Sequence, residues 1–195
     1  KIEPLNKNIK DIREEILLEV DSLEAFSDEH HGVNLTDINF SVHGGEIVGI
    51  AGIAGNGQVE LMGVLSGETG PPKKGEINIL GKRATELDPV QRRLLEAVFV
   101  PEERLGHAAV SDMSLIENSF LTSAERMHFE KKGLVDWSRV RDFSTDIIHH
   151  FDVRTTGEES LASSLSGGNL QKFIVGREIM QKPRLLVVAQ PTWGV

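Results

Sequence analysis

The 195-residue sequence contains no cysteine and no tyrosine, and only two tryptophans. Without thiols, disulfides and thiolate metal sites are excluded, although the redox compartment stays open. Long apolar runs are missing too. The longest stretches, near Ile47–Ala54 and Leu185–Ala189, fall far short of the ~20 residues a membrane-spanning helix needs. No signal-peptide pattern is present, so any membrane association is expected to run through a protein partner. Basic residues are outnumbered, 21 Lys and Arg against 30 Asp and Glu, for a net charge of −9. That argues against a nucleic-acid partner, whose footprint would be basic. The seven histidines show no metal-ligand spacing, and the adjacent His149 and His150 do not share a helix face. No metal ligand set is expected.

What remains is ordinary for a globular protein: 39% hydrophobic and 26% charged residues, in a length that suits one domain carrying a subdomain. Both ends look cut. The chain starts at Lys1 without Met and stops at Val195, just past an apolar strand, which is the expectation for an excised piece of a longer polypeptide. Residues 1–15 read as a polar linker or arm. Ile16–Val20 and Leu35–Val42 carry strand signals, the second with Leu35, Ile38, Phe40 and Val42 near period two. His43-Gly44-Gly45 is a turn, and Glu46–Ala51 reads as a buried strand. Gly75–Leu80 is a further strand, Asp88-Pro89 opens a short helix to about Leu95, and Ala97–Val100 is a strand stopped by Pro101. Residues 102–161 have weak strand signals and read as a helical insertion. Within them, Ser114-Leu115-Ile116-Glu117 forms a capping box, and Val140, Phe143, Ile147 and Ile148 have helical spacing. A helix from about Leu170 to Met180 and a buried strand Arg184–Ala189 close the chain.

The glycine string Gly52-Ile53-Ala54-Gly55-Asn56-Gly57 lies between an apolar strand and a helix-like segment. This is the layout of a phosphate-binding loop, G-x-x-x-x-G-K-[ST], in which glycine amides cradle phosphate at a helix N-terminus. Gly52 and Gly57 stand at the right spacing, but Gln58 sits where the lysine belongs and Val59 where the Mg-binding hydroxyl belongs. Backbone amides and the helix dipole supply much of such a loop's grip. The missing cation is worth roughly 4 kcal/mol at ~4 Å in an effective dielectric of 20, partly offset by desolvation. Binding is therefore expected to weaken rather than vanish. A plain strand-to-helix glycine turn with no ligand remains the other reading.

Three further strings appear in a fixed order: VPEERLG, then LSGGNLQKFIVGREI, then LLVVAQPTWGV. Together with the loop, they resemble the Q-loop, signature motif and Walker B strand of ATP-binding cassette (ABC) ATPases, over about Ile16–Val195. GIAGNGQ with AQPTWG is similar to the second, degenerate nucleotide-binding half of fused ATPases that serve nucleoside and simple-sugar importers. The resemblance implies an α/β fold: a P-loop core sheet, an antiparallel β portion and a helical subdomain over 102–161. It implies that Ser166, Gly167 and Gly168, followed by Asn169 in place of the usual Gln, contact ATP held by a partner's loop. A simple serine N-cap is the alternative. It places Glu102 at the Q-loop Gln, where a carboxylate disfavours hydrolysis, although an exposed loop glutamate reads equally well. Ala189 takes the place of the Walker B Asp, and Gln190 that of the catalytic Glu; a neutral amide is no general base.

The function so implied is the ATP-binding component of an importer, a degenerate half with little or no ATPase activity of its own. Its own loop (Gly52, Gly55, Asn56, Gly57, Gln58, Val59) would bind ATP weakly, without tight Mg. Its implied partners are a nucleotide-binding half in the same polypeptide and membrane permease subunits. A permease coupling helix would dock on the insertion near Arg104–Met113, placing the protein on the inner face of the cell membrane. Two alternatives stand beside it: a regulatory or interaction module that binds no nucleotide, and a competent ATPase with unusual residues. The adenine-stacking residue is not identified; Phe26, His30 and His31 are candidates.

Overall fold

The computed structural model describes residues 12–27 and 32–191. Most of the expected arm, the candidates His30 and His31, and Thr192–Val195 lie outside the described residues. The chain divides into two compact units, residues 1–89 and 90–195.

The first unit is built on a four-stranded antiparallel sheet in the order β2-β1-β3-β4. Its strands are β1 (Ile16–Ala25), β2 (Leu35–His43), β3 (Lys74–Ile79) and β4 (Lys82–Arg83). β1 is the spine: Val20 faces Phe40 on β2 and Ile77 on β3. Leu23, Ile77 and Ile79 are fully buried, as alternation on a half-buried sheet requires. β1 runs past the expected end at Val20 to Ala25, through register shifts beyond Val20 that re-aim its side chains. Helix α1 (Gln58–Ser66) buries Leu61, Met62, Val64 and Leu65. Glu60 on its first turn accepts from the Val33 N–H at 2.8 Å.

One expectation fails here. Glu46–Ala51 forms no strand; Ile47, Val48 and Ile50 are exposed, Ile47 at 97%, while Glu46 is half-buried against His43. An apolar run is a buried strand only when neighbouring strands take up its backbone groups. Among the described residues no strand pairs with this one.

The second unit contains α2 (Pro89–Leu94), β5 (Ala97–Val100), α3 (Leu115–Ser123), β6 (Glu130–Lys131), β7 (Leu134–Val135), α4 (Trp137–His150), α5 (Gly167–Ile179) and β8 (Leu185–Val188). β5 and β8 pair in parallel, from Ala97 with Leu185 to Val100 with Val188. The small β6–β7 hairpin carried no sequence signal. α3 begins with the expected capping box: Ser114 accepts from the Glu117 N–H, and the Glu117 carboxylate accepts from the Ser114 N–H at 2.8 Å. These hydrogen bonds, to the backbone first and the Ser114 hydroxyl second, hold the Glu117 carboxyl below its ordinary value.

The core of this unit joins Val100, Leu115, Val140, Ile147, Leu170, Phe173 and Ile174. Leu170, Phe173, Ile174 and Arg177 repeat at helical spacing on α5 and are all buried. Each fully buried apolar side chain of this size contributes ~1.5–3 kcal/mol. α4 and α5 meet closely where Phe151 abuts Gly176; a Cβ at Gly176 would lie 2.6 Å from that ring. Trp137 packs against Phe120 at 5.4 Å between ring centroids, tilted by 44°.

Candidate functional site

Two glycine-rich turns, each opening a helix, carry the candidate chemistry, one in each unit. In the first unit, Gly57 takes a left-handed conformation (φ 96°) as N-cap of α1, with no side chain capping the helix. That conformation favours glycine, which explains Gly57. Without a capping side chain, the first-turn amides of α1 suit an anion. The Gln58 side chain folds back over the loop, its amide donating to the Ile53 carbonyl at 3.2 Å and its oxygen accepting from the Asn56 N–H at 3.2 Å. A Cβ at Gly52 would lie 2.5 Å from Gln58 Nε2. Gln58 thus spans the loop and occupies one of its amides. Ile53 within the loop and Val59 just after it are exposed, at 80% and 67%. The loop suits a phosphate through its amides. Val59 offers no side-chain oxygen to a metal ion.

In the second unit, Ser166 stands at the N-cap of α5 in an extended conformation (φ −62°, ψ 153°) without a side-chain capping bond. Its oxygen instead accepts from the Asn169 side-chain amide at 2.9 Å, and Asn169 Oδ1 accepts from the Arg154 N–H at 2.9 Å. Asn169 therefore orients the serine hydroxyl. The simple capping alternative is not what the hydroxyl does here. The carbonyl of Gly167 accepts from Arg104 Nη1 at 2.8 Å.

The C-terminal ends of β5 and β8 bring Glu102 and Gln190 to one edge, each two residues beyond the paired Val100 and Val188. Such edges of parallel sheets are where ligands gather. Ala189 continues the pairing, donating its N–H to the Val100 carbonyl at 2.9 Å. Gln190 is exposed and turns in a left-handed conformation (φ 48°). This edge carries one carboxylate, a methyl and an amide. The Phe26 ring is covered by Lys73, with Nζ 4.4 Å from its centroid, which disfavours it as a base-stacking surface. Among the described residues no cluster of His, Asp or Glu suits a metal ion.

The chain matches the family described as "ABC transporter" over residues 35–193. It belongs to the ABC transporter ATP-binding domains. It is 36% identical over 181 residues to the nucleoside import ATP-binding protein NupA of Lactococcus lactis subsp. cremoris, covering 93% of this chain and 35% of that protein. It is 39% identical over 161 residues to the guanosine import ATP-binding protein NupO of Bacillus subtilis, covering 82% of this chain and 31% of that protein. The chain thus spans about a third of the length of these curated relatives. In three dimensions it is similar to the ATP-binding cassette MJ0796 solved in a post-hydrolysis state with ADP and Pi. The TM-score is 0.72 at 19% identity, covering 91% of this chain and 75% of that one. The fold is therefore that of an ABC ATPase, with the antiparallel sheet and helical elements the motif order implies.

Sequence reasoning overlooked a buried ionic network near the C-terminal end of α5 in this ABC domain. Arg177 is buried, and burial pushes its guanidinium below the ordinary value, opposed by the neighbouring Glu178. Its nitrogens donate to the Asn118 carbonyl at 3.0 Å, the Ala108 carbonyl at 2.9 Å and Glu178 Oε1 at 2.9 Å. Glu178, also fully buried, accepts in addition from Arg93 at 2.5 Å, Thr122 at 2.8 Å and Gln181 at 3.1 Å. The sequence reading assigned no role to the adjacent Arg177-Glu178 pair. Its one available signal was its place on the apolar face of α5, one turn past Ile174.

Proposed function

We propose that this ABC domain is the ATP-binding part of an importer for nucleosides or simple sugars. In this reading its own Gly52–Gly57 loop holds nucleotide weakly and does not turn it over. The Ser166–Asn169 turn completes the ATP site of a partner nucleotide-binding half carried in the same full-length polypeptide. The observation that carries it is the contrast between the two turns: the loop has lost its lysine and its hydroxyl, while the serine and glycines are intact and oriented. Gln58, Val59, Ala189 and Gln190 remove the cation, the Mg ligands and the general base, all of which serve one reaction. The nucleoside and guanosine import relatives support the cargo class. No helix among the described residues is long and apolar enough to cross a membrane, so permease subunits would supply the path and the attachment to the inner face of the membrane. The helical elements of residues 102–161 would be the subdomain that meets them.

In this mechanism the loop amides and the α1 N-terminus bind phosphate oxygens, after Gln58 gives up the Asn56 amide. At the other turn, the Ser166 hydroxyl and the amides that follow face the γ-phosphate of the partner's ATP. Bound Mg in that partner site would supply charge neutralisation. A second reading, a regulatory or interaction module that binds no nucleotide, is favoured by the way Gln58 occupies the loop. Calorimetric titration with ATP-Mg and with ATP plus EDTA separates them. Weak binding that survives EDTA supports the proposal, and no binding supports the second reading. Tight binding that requires Mg overturns both.

A further inference from the structure

The segment that follows β5 is tied down along its whole length. At its far end Arg177 Nη2 donates to the Ala108 carbonyl at 2.9 Å. Asn118, fully buried, accepts from the Val110 N–H at 2.8 Å and donates to the Val110 and Met113 carbonyls at 3.0 and 3.1 Å. At its near end the Ala108 N–H donates to the Glu103 carbonyl at 3.1 Å, and the Ala109 N–H to the Arg104 carbonyl at 2.7 Å. A segment so held gives Arg104 a fixed base, and Arg104 spends one nitrogen on the Gly167 carbonyl, 2.8 Å away. Gly167 has no Cβ to obstruct it; one placed there would lie 3.0 Å from that nitrogen.

Helix stability does not explain this bond. A cation at a helix N-terminus is opposed by the helix macrodipole, and an exposed guanidinium has water to bond instead. What the bond does is geometric. It fixes the plane of the peptide that follows Gly167, and with it the start of α5 beside the Ser166 hydroxyl that Asn169 holds, relative to the segment that carries Glu102 two residues upstream.

We propose that Arg104 is the positioning residue of the Ser166–Asn169 turn, aligning it for the partner's ATP. This rests on the reading that the turn serves a partner's ATP site. The test is ATP hydrolysis by the complete natural polypeptide assembled with its permease, comparing Arg104→Ala, Arg104→Lys and Ser166→Ala. Misalignment of a contacting group by about 1 Å costs up to ~100-fold in rate, so Arg104→Ala is expected to lower kcat between about 10- and 100-fold. KM for ATP stays within about twofold, the pattern of an interaction realised in the transition state. Arg104→Lys, which can still donate to the carbonyl, restores part of kcat, and the melting temperature is unchanged in both. Wild-type kcat in Arg104→Ala, with Ser166→Ala impaired, overturns the inference and leaves the functional reading standing. A fall in melting temperature matching the loss of rate, without rescue by lysine, overturns it too. Unchanged hydrolysis in Ser166→Ala overturns the functional reading itself.

Discussion

The two glycine turns make an internal comparison. Both introduce a helix without a capping side chain, yet their supports differ. The Gly52–Gly57 loop carries exposed Ile53, is followed by exposed Val59 and is spanned by the adjoining Gln58. The Ser166–Asn169 turn is held by Arg104 and Asn169 and opens a helix whose inner face is apolar as far as Ile174 and ionic beyond it, at the buried Arg177-Glu178 pair. The turn whose serine and glycines match the motif is the one tied to other segments, through Arg104 and Asn169. A group that must meet a partner's ligand has to be held still before the partner arrives.

The strongest way to break that comparison is to remove the ionic support. Glu178→Ala leaves Arg177 buried without its carboxylate and should cost about 3–5 kcal/mol, seen as a large fall in the denaturation midpoint. If midpoint and slope are unchanged, the buried network does not stabilise the fold of this unit. Next in size, Gln58→Lys gives the weaker loop a cation in place of its self-contact. A charge-assisted bond of ~1.5 kcal/mol or more implies a gain of about tenfold in ATP affinity by calorimetry. Because Val59 remains, the gain should persist in EDTA.

Smaller effects sharpen the picture inside the second unit. Ser114→Ala removes the capping box of α3 and should cost about 1 kcal/mol in chemical denaturation. The same box makes a prediction about acid. The folded Glu117 carboxyl is held below its ordinary value, so its contribution is complete above the unfolded value near 4.5 and is lost as pH falls through the folded value. Wild type should therefore lose more stability than Ser114→Ala as the pH is lowered from about 5. The smallest expected effect is at Arg141. Its bonds to Glu158 and Glu159 lie at the surface, and Arg141→Ala should change stability by no more than ~0.5 kcal/mol.

The glycine strings and their order were plain in the sequence because backbone-driven chemistry needs glycine at fixed spacing. The capping box was plain for a similar reason, since both partners lie within four residues. What stayed hidden depends on distant partners. Glu46–Ala51 has a strand's composition, but composition does not provide the neighbouring strands that would pair with it. Arg177 and Glu178 look like solvent-facing charge until Arg93, Thr122 and Asn118 come from other helices to meet them. Arg104 shows nothing of its reach across 63 positions to Gly167. Asn169 read as a departure from Gln, while its use, orienting Ser166 against the Arg154 backbone, depends on a loop folded back beside it.

The Trp137–Phe120 contact has a spectroscopic consequence. The sequence has no tyrosine, and both its tryptophans, Trp137 and Trp193, belong to residues 90–195. Intrinsic emission is therefore blind to the unit that carries the Gly52–Gly57 loop, while far-ultraviolet circular dichroism sees both units. Two melting curves recorded on one sample, one by each probe, would coincide if the units unfold together. The interval between them would measure how far the loop-bearing unit melts on its own.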